Sequence, residues 1–240
     1  MKVTAINGSP RLSKGHTAQV LAPFIEGMRK AGAEVSLIYA SKLKIKPCIG
    51  DFSCWYNKPG ECIFQDDMQS VYQLLTDSDM LILATPVYIP LPGAMQNLIN
   101  RLCPLFEPIL ENRNGRTRAQ FHSQIKIRKI LLVATCDWWE SGNFGTVKRI
   151  VEEMAVNANV EFGSAILRPH SFLLDRYPED KKKILASLEE AGYQLAKTGG
   201  IPPGTLETIA KPLISFEDYI KDMNDQYFRI ETSQKPHKQQ

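Results

Sequence analysis

Little in this chain points to a membrane, to nucleic acid or to a secreted scaffold. No apolar run reaches the ~18 residues that a membrane span needs. The opening stretch, MKVTAINGSP, has neither the basic n-region nor the apolar h-region of a secretory signal. Charge of one sign is not in excess. The 29 Lys and Arg stand against 26 Asp and Glu, a net +3, too small an imbalance to argue for nucleic acid. Cysteines number only five. In the cytoplasmic protein these absences lead one to expect, they are reduced thiols or metal ligands and not a disulfide framework. The G-x-x-x-x-G-K-[ST] P-loop is missing, as is the G-x-G-x-x-G of dinucleotide binders. There is no internal repeat. At 240 residues and 43% hydrophobic composition, the chain can bury a core as one large domain, or as a domain with an extension.

What is there is concentrated in residues 3–17, VTAINGSPRLSKGHT. The apolar run Val3 to Ile6 reads as a buried strand that breaks at the turn signal Asn7-Gly8. Ser9, Ser13, His16 and Thr17 bring donors around Gly15, and Arg11 and Lys14 add positive charge. Val20, Leu21, Phe24, Ile25 and Met28 follow at helical spacing. A strand that feeds a Gly/Ser/Thr-rich turn into a helix N-terminus is a phosphate cradle, because free amides and the helix dipole both favour an anion there. Hydroxyls and amides gripping a single phosphate end suit a mononucleotide. An ordinary strand-to-helix turn is the bland alternative; it needs a glycine but not four donors and two cations.

The rest of the chain repeats the strand-helix rhythm. Strands are expected at 33–40, 80–84, 130–134 and 160–167, with MLILA and ILLVA as the near-continuous apolar runs of central parallel strands. Helices are expected near 67–75, 92–106, 145–154 and 179–197. Such alternation predicts a doubly wound α/β fold, a flavodoxin-like parallel sheet of five strands in the order 2-1-3-4-5. Ligands then sit beyond the C-terminal strand edges, where the loops 7–17, 85–90 and 135–144 should converge. The expected division is a domain over 1–198, a linker at 199–204 leading to a C-terminal helical extension through 231, and a disordered polar tail at 232–240. That last helix, with Phe216, Tyr219, Ile220, Met223 and Tyr227, is expected either to pack on its own sheet, the default, or to clasp a second subunit. Residues 107–126, with Arg113, Arg116 and Arg118 around Asn114-Gly115, read as a solvated loop or hairpin tip. Tyr88, in Thr85-Pro86-Val87-Tyr88, offers a flat surface beside the cradle; the plainer reading is a turn with a surface tyrosine. Trp138-Trp139 in the neighbouring loop reads equally as a segment tucked onto the core.

Taken together, GSPR-x-x-x-G-x-T from Gly8, Asp66-Asp67-Met68 and Thr85-Pro86-Val87-Tyr88 resemble the flavodoxin-fold, NAD(P)H-dependent FMN reductase family over roughly residues 1–195. Within it the chain is most similar to the iron–sulfur flavoprotein branch. The resemblance implies a non-covalent FMN with Ser9, Arg11, Lys14, Gly15, His16 and Thr17 around its phosphate. Pro86, Val87, Tyr88 and Ile89 would line the isoalloxazine ring, and Thr135 and the loop after it would flank the other side. His16 stands where many relatives carry Asn. The flavin supplies the chemistry, so no catalytic acid or base is expected. The implied activity passes electrons from NADH or NADPH through FMN to a small acceptor such as a quinone or flavin, in a homodimer or homotetramer. Two other roles stay open: an electron carrier exchanging with ferredoxin, and a low-turnover flavin-bound sensor.

The cysteine stretch departs from the branch. Its pattern is C-x2-C-x2-C-x(4–7)-C, and here Cys48, Cys54 and Cys62 keep the spacing while Asp51 takes the second cysteine's place. Three readings stand: a 4Fe–4S cluster with Asp51 or solvent as fourth ligand, a lost cluster with a structural loop left behind, or reactive thiols. Cys103 reads as helix packing, and Cys136 as a neighbour of the flavin pocket.

Overall fold

In the computed structural model, the backbone is described for residues 1–234 and side chains through residue 229. The central sheet is built from β1 (Lys2–Asn7), β2 (Glu34–Tyr39), β3 (Met80–Pro86), β6 (Lys129–Thr135) and β7 (Glu161–Arg168). Its strands are parallel and run in the order β2-β1-β3-β6-β7, which is the expected 2-1-3-4-5. The chain winds one way from β1 to β2 and the other way to β3, which opens a crevice at the β1/β3 edge.

Both faces of the sheet are covered, which is why its central strands are apolar at successive positions and not at alternate ones. Val3, Ala5, Ile82 and Val133 face α1 (His16–Lys30), α6 (Pro178–Thr198) and α7 (Pro203–Ala210). Ile6, Leu81, Leu83, Ile130 and Leu132 face α3 (Met68–Asp77), α4 (Gly93–Asn100) and α5 (Gly145–Ala158). A single helical turn, α2 (Ser53–Tyr56), lies in the cysteine stretch.

Several local expectations shift. The helix expected over 92–106 stops at Asn100, and a short 3-10 turn at Cys103–Leu105 follows. The last two residues of the expected linker open a helix, α7, whose first residue is Pro203, a position where the missing amide costs nothing. The arginine-rich stretch, by contrast, is a hairpin as expected, β4 (Glu111–Arg113) and β5 (Arg116–Arg118), turning at Asn114 and Gly115, both with positive φ. Its arginines are held by this chain itself. Arg113 donates to Ala119 O, Val156 O and Asn157 O, and Arg116 and Arg118 pair with Glu153. The last helix, α8 (Phe216–Gln234), includes 232–234 of the tail expected to be disordered, and 235–240 lie outside the described residues.

Helices α1 and α6 cross at a mutual notch. A Cβ on Gly27 would sit 1.8 Å from Glu189 O, and one on Gly192 would sit 1.9 Å from Phe24 O. Each helix backbone therefore fills the space a side chain would need on the other. Gly192→Ala is expected to lower stability by about 3 kcal/mol, the upper range for overpacking. Gly204→Ala, in open space, should change it by no more than about 0.5 kcal/mol. Urea unfolding checks both; a Gly192→Ala protein as stable as the parent would contradict the notch.

Candidate functional site

The turn after β1 is shaped by its own side chains. The Asn7 Oδ1 accepts the Ser9 amide at 2.8 Å, closing an Asx turn, and the Ser9 Oγ accepts the Arg11 amide at 3.3 Å. Gly15 is required by close approach: a Cβ there would stand 2.6 Å from Ser9 Oγ. The chain then enters α1 with no side chain capping its first turn, which leaves amides free to meet an anion. Asn7 is wholly buried, and its Nδ2 has no partner. A buried amide nitrogen without an acceptor is costly unless something else supplies one. Asn7 borders a cavity of about 460 Å³ whose wall also includes Arg11, Ser13, Lys14, Gly15 and His16, while Ser9 and Thr17 lie buried outside that wall. Charge, donors and room for a phosphoryl group thus coincide.

The three expected loops do converge, though not all on that cavity. Gly8 N–H donates to Ala84 O at 2.7 Å, and Val87 N–H donates to Thr135 O at 2.8 Å, so each loop starts from its neighbour's strand end. Thr17 and Thr135 are both buried, with their hydroxyls 2.8 Å apart. They stitch the head of α1 to the end of β6. His16 Nδ1 stands 3.9 Å from the Asp137 carboxylate. Pro86, Val87, Tyr88, Ile89 and Thr135 do not line the cavity. Tyr88 and Ile89 are exposed instead, Ile89 fully, and Trp138 is also largely exposed. Cys136 is buried, and its Sγ accepts the Trp138 amide at 3.3 Å. Burial pushes the Cys136 thiol up from its usual value.

The third loop is braced by a part of the chain that sequence reasoning left as linker and helix. Arg168, at the end of β7, is completely buried. It donates to Pro169 O, Ile209 O and Lys211 O, and to His170 Nε2 at 3.0 Å. Among the described residues no carboxylate pairs with it, and burial lowers its pKa to about 10, so the guanidinium keeps its charge at neutral pH on backbone carbonyls and the His170 ring. His170 Nε2 also accepts the Leu213 amide at 3.0 Å. From there the chain returns to the loop. Trp139 Nε1 donates to Ile214 O at 3.0 Å, Tyr219 Oη donates to Asp137 O at 2.8 Å, and the Trp139 and Phe216 rings meet. The last helix therefore docks on a site loop and not on the sheet, where it was expected. No sequence pattern flags Arg168 or His170, since a strand-end cation ordinarily reads as surface.

The Asp66-Asp67-Met68 motif anchors the cysteine stretch. Burial alone would raise the Asp66 carboxyl, but the Arg101 guanidinium at 2.8 Å and the amides of Lys46 and Met68 hold it below its usual value. Asp67 accepts the Lys44 amide, and Asn97 donates to Ile45 O. Beside this anchor Cys48, Asp51, Cys54 and Cys62 border one small cavity, and Cys103 joins them. The reading of Cys103 as helix packing is thus corrected: the turn after α4 carries it into the motif cysteines. The expected ligand set of Cys48, Cys54 and Cys62 with Asp51 does not fit a 4Fe–4S cluster. The cavity measures about 20 Å³, enough for roughly one water. Among the described residues no group of three or more His, Cys, Asp or Glu side chains is disposed to hold a metal ion.

Comparison with known proteins gives the lineage. The family described as NADPH-dependent FMN reductase matches residues 1–122, just over half of the chain. The chain belongs to that family. An iron–sulfur flavoprotein of Archaeoglobus fulgidus is 34% identical over 117 residues, covering 48% of this chain and 52% of that protein. One of Methanocaldococcus jannaschii is 39% identical over 102 residues, 42% of this chain and 50% of that protein. The chain thus spans about half the length of the curated relatives it matches. Among solved structures, the NAD(P)H:quinone oxidoreductase of Methanothermobacter marburgensis shares the fold with a TM-score of 0.59 at 15% identity, over 81% of this chain and 96% of that one. The FMN reductase match ends before β6, so the third loop, Arg168 and the helices docked on it lie outside the family-matched segment. Among the described residues no helix is long and apolar enough to cross a membrane.

The buried Arg168–His170 unit makes a pH prediction. Burial, and then the Arg168 charge, push His170 down to about 4, against about 6.5 in the unfolded chain. The neutral ring is therefore favoured in the fold. Its contribution is complete above about pH 6.5 and is lost as pH falls toward about 4. Between pH 7.5 and 5 the protein should lose about 2 kcal/mol more than a His170→Gln variant. Parallel urea titrations measure this, and identical losses in the two proteins would contradict it.

Proposed function

We propose that the chain is an FMN-dependent oxidoreductase that passes electrons from NAD(P)H to a small acceptor such as a quinone or another flavin. The observation that carries this is the cradle: an uncapped helix start, the Arg11 and Lys14 charges and an unpartnered buried Asn7 amide around one cavity. Ser9, Arg11, Lys14, Gly15, His16 and Thr17 would hold the phosphate of FMN. Pro86, Val87, Tyr88, Ile89 and Thr135 would bear on its ring. Bound there, FMN would supply the redox chemistry, accepting hydride from the nicotinamide and delivering electrons onward. The chain's own part is to bind, orient and shield. Thr17 and Thr135 use one hydroxyl hydrogen between them, so the pair keeps one to offer a ligand. His16 beside Asp137 links phosphate grip to the third loop.

Residues 1–198 are read as the flavin-binding unit, and residues 199–231 as an extension that steadies its third loop. The exposed Tyr88, Ile89 and Trp138 suit the homodimer or homotetramer that the resemblance implies. A ferredoxin-linked carrier would require a cluster, which the cysteine cavity does not fit.

Fluorescence titration with FMN and with riboflavin, which lacks the phosphate, tests this reading. FMN should bind more tightly. Arg11→Ala should weaken FMN about tenfold, the loss of one charge-assisted contact, and leave riboflavin unchanged. Equal affinity for the two flavins in the parent protein would remove the cradle from the account.

A further inference from the structure

The cradle takes one end of the sheet, and a second cavity opens at the other. It measures about 260 Å³ and lies against Leu81 and Ile130, the second residues of β3 and β6. The three loops leave the sheet past Pro86 and Thr135, five residues further on, which is about 17 Å of extended strand. An occupant of this cavity is therefore out of reach of a ligand on the cradle. The rest of its wall is drawn from separate parts of the chain. Ile99 comes from the end of α4, Leu105 from the turn after it, and Met154 from the last turns of α5. Phe106 and Phe121 come from the foot of the hairpin, and Trp55 from α2.

These parts are fastened to one another without a ligand. Phe106 and Phe121 pair across the hairpin foot with ring centroids 4.8 Å apart. Glu107 N–H donates to Gln120 O at 2.8 Å, and His122 N–H to Leu105 O at 3.0 Å. Arg113, Arg116 and Arg118 tie the hairpin to α5, and Trp55 Nε1 donates to Cys103 O at 3.2 Å. A cavity preformed in this way loses little order on binding.

The wall sets the class of ligand. Among the described residues no charged side chain enters it, so an ion would shed its water there with nothing in return. Aromatic rings and aliphatic chains make up most of it and suit the faces of a flat apolar molecule. Asn100 and Asn157 are its side-chain amides. Asn100 Oδ1 accepts from Gln96 Nε2 at 2.9 Å, which leaves its own amide hydrogens to donate. One hydroxyl or carbonyl on the ligand could meet such a group. Size sets the rest. An apolar cavity of about 150 Å³ takes benzene, and 260 Å³ exceeds it by about the ratio of two fused rings to one. We propose that this cavity binds a neutral aromatic molecule of two fused rings that carries one hydroxyl or carbonyl group. The site stands apart from electron transfer and does not rest on the flavin reading.

The full chain, carrying ¹³C-methyl methionine, is titrated with 2-naphthol at pH 7, with and without saturating FMN. Met154 lies in the cavity wall. Met95 reports the other end, because its side chain fills the space where a Cβ on Gly8 would stand. The expected result is a saturable shift of the Met154 methyl and an unmoved Met95 methyl, the same in the presence of FMN. Met154→Leu assigns the signal. Naphthalene-2-sulfonate, with the same rings and a charge, should bind at least about tenfold more weakly. Ile99→Trp, which fills the cavity, should abolish the Met154 shift; the parent protein decides the matter where that variant fails to fold. The proposal is overturned by the lack of a saturable Met154 shift, by its loss when FMN is added, or by a Met95 shift of equal size. Equal binding of the sulfonate, or an undiminished shift in folded Ile99→Trp protein, would overturn it too.

Discussion

The site depends on the register of four parallel strands. Asn7 lies level with Ala84, Pro86 with Thr135, and Thr135 with Arg168. The ladder then continues past the strand ends through Gly8 N–H to Ala84 O, Val87 N–H to Thr135 O and Cys136 N–H to Arg168 O. Backbone hydrogen bonds are the reason the three loops leave the sheet at one height. A one-residue slip would turn every inward side chain outward and carry the cradle away from its neighbours. The register irregularity between Ile130 and Leu131, at the far end of the β6–β7 pair, leaves this alignment intact.

On that frame the chain handles unpaired charge in two ways. Arg101 is neutralised by Asp66, a buried ion pair that also gathers the Lys46 and Met68 amides. Such a pair is costly to break from one side, because the remaining charge is stranded away from water. Arg168 has carbonyl oxygens instead, three of them from its immediate neighbour and the segment at Ile209 and Lys211. Its charge is thereby used to hold the extension against the third loop. Tyr219 and Trp139 complete that brace with one hydrogen bond each. A segment beyond the matched part of the family thus bears directly on the loop that meets His16.

Much of the fold was legible because it follows from chain-local physics. The runs at 80–84 and 130–134 could only be strands buried on both faces, and the loops after them carried unusual residues in the places where a parallel sheet collects ligands. What escaped was whatever depends on partners far along the chain. Gly27 and Gly192 carry no signal in the sequence, yet each makes room for the other helix's backbone. Gly199-Gly200 and Pro202-Pro203 read as linker punctuation, although a proline at a helix start is well placed there. Cys103 had no nearby residue to identify it, and Arg168 looked like the solvent end of a strand. The open face at Tyr88 and Ile89 shows the reverse case: the loop was visible in the sequence, but its separation from the cradle cavity was not.

The central claim is that an FMN phosphate binds at the turn between β1 and α1. Amide chemical-shift mapping of the ¹⁵N-labelled protein during FMN titration tests it most directly. The account predicts the largest changes at the backbone amides of residues 8–18, with a second set at 87–89. Changes that leave 8–18 still while shifting amides elsewhere would contradict it.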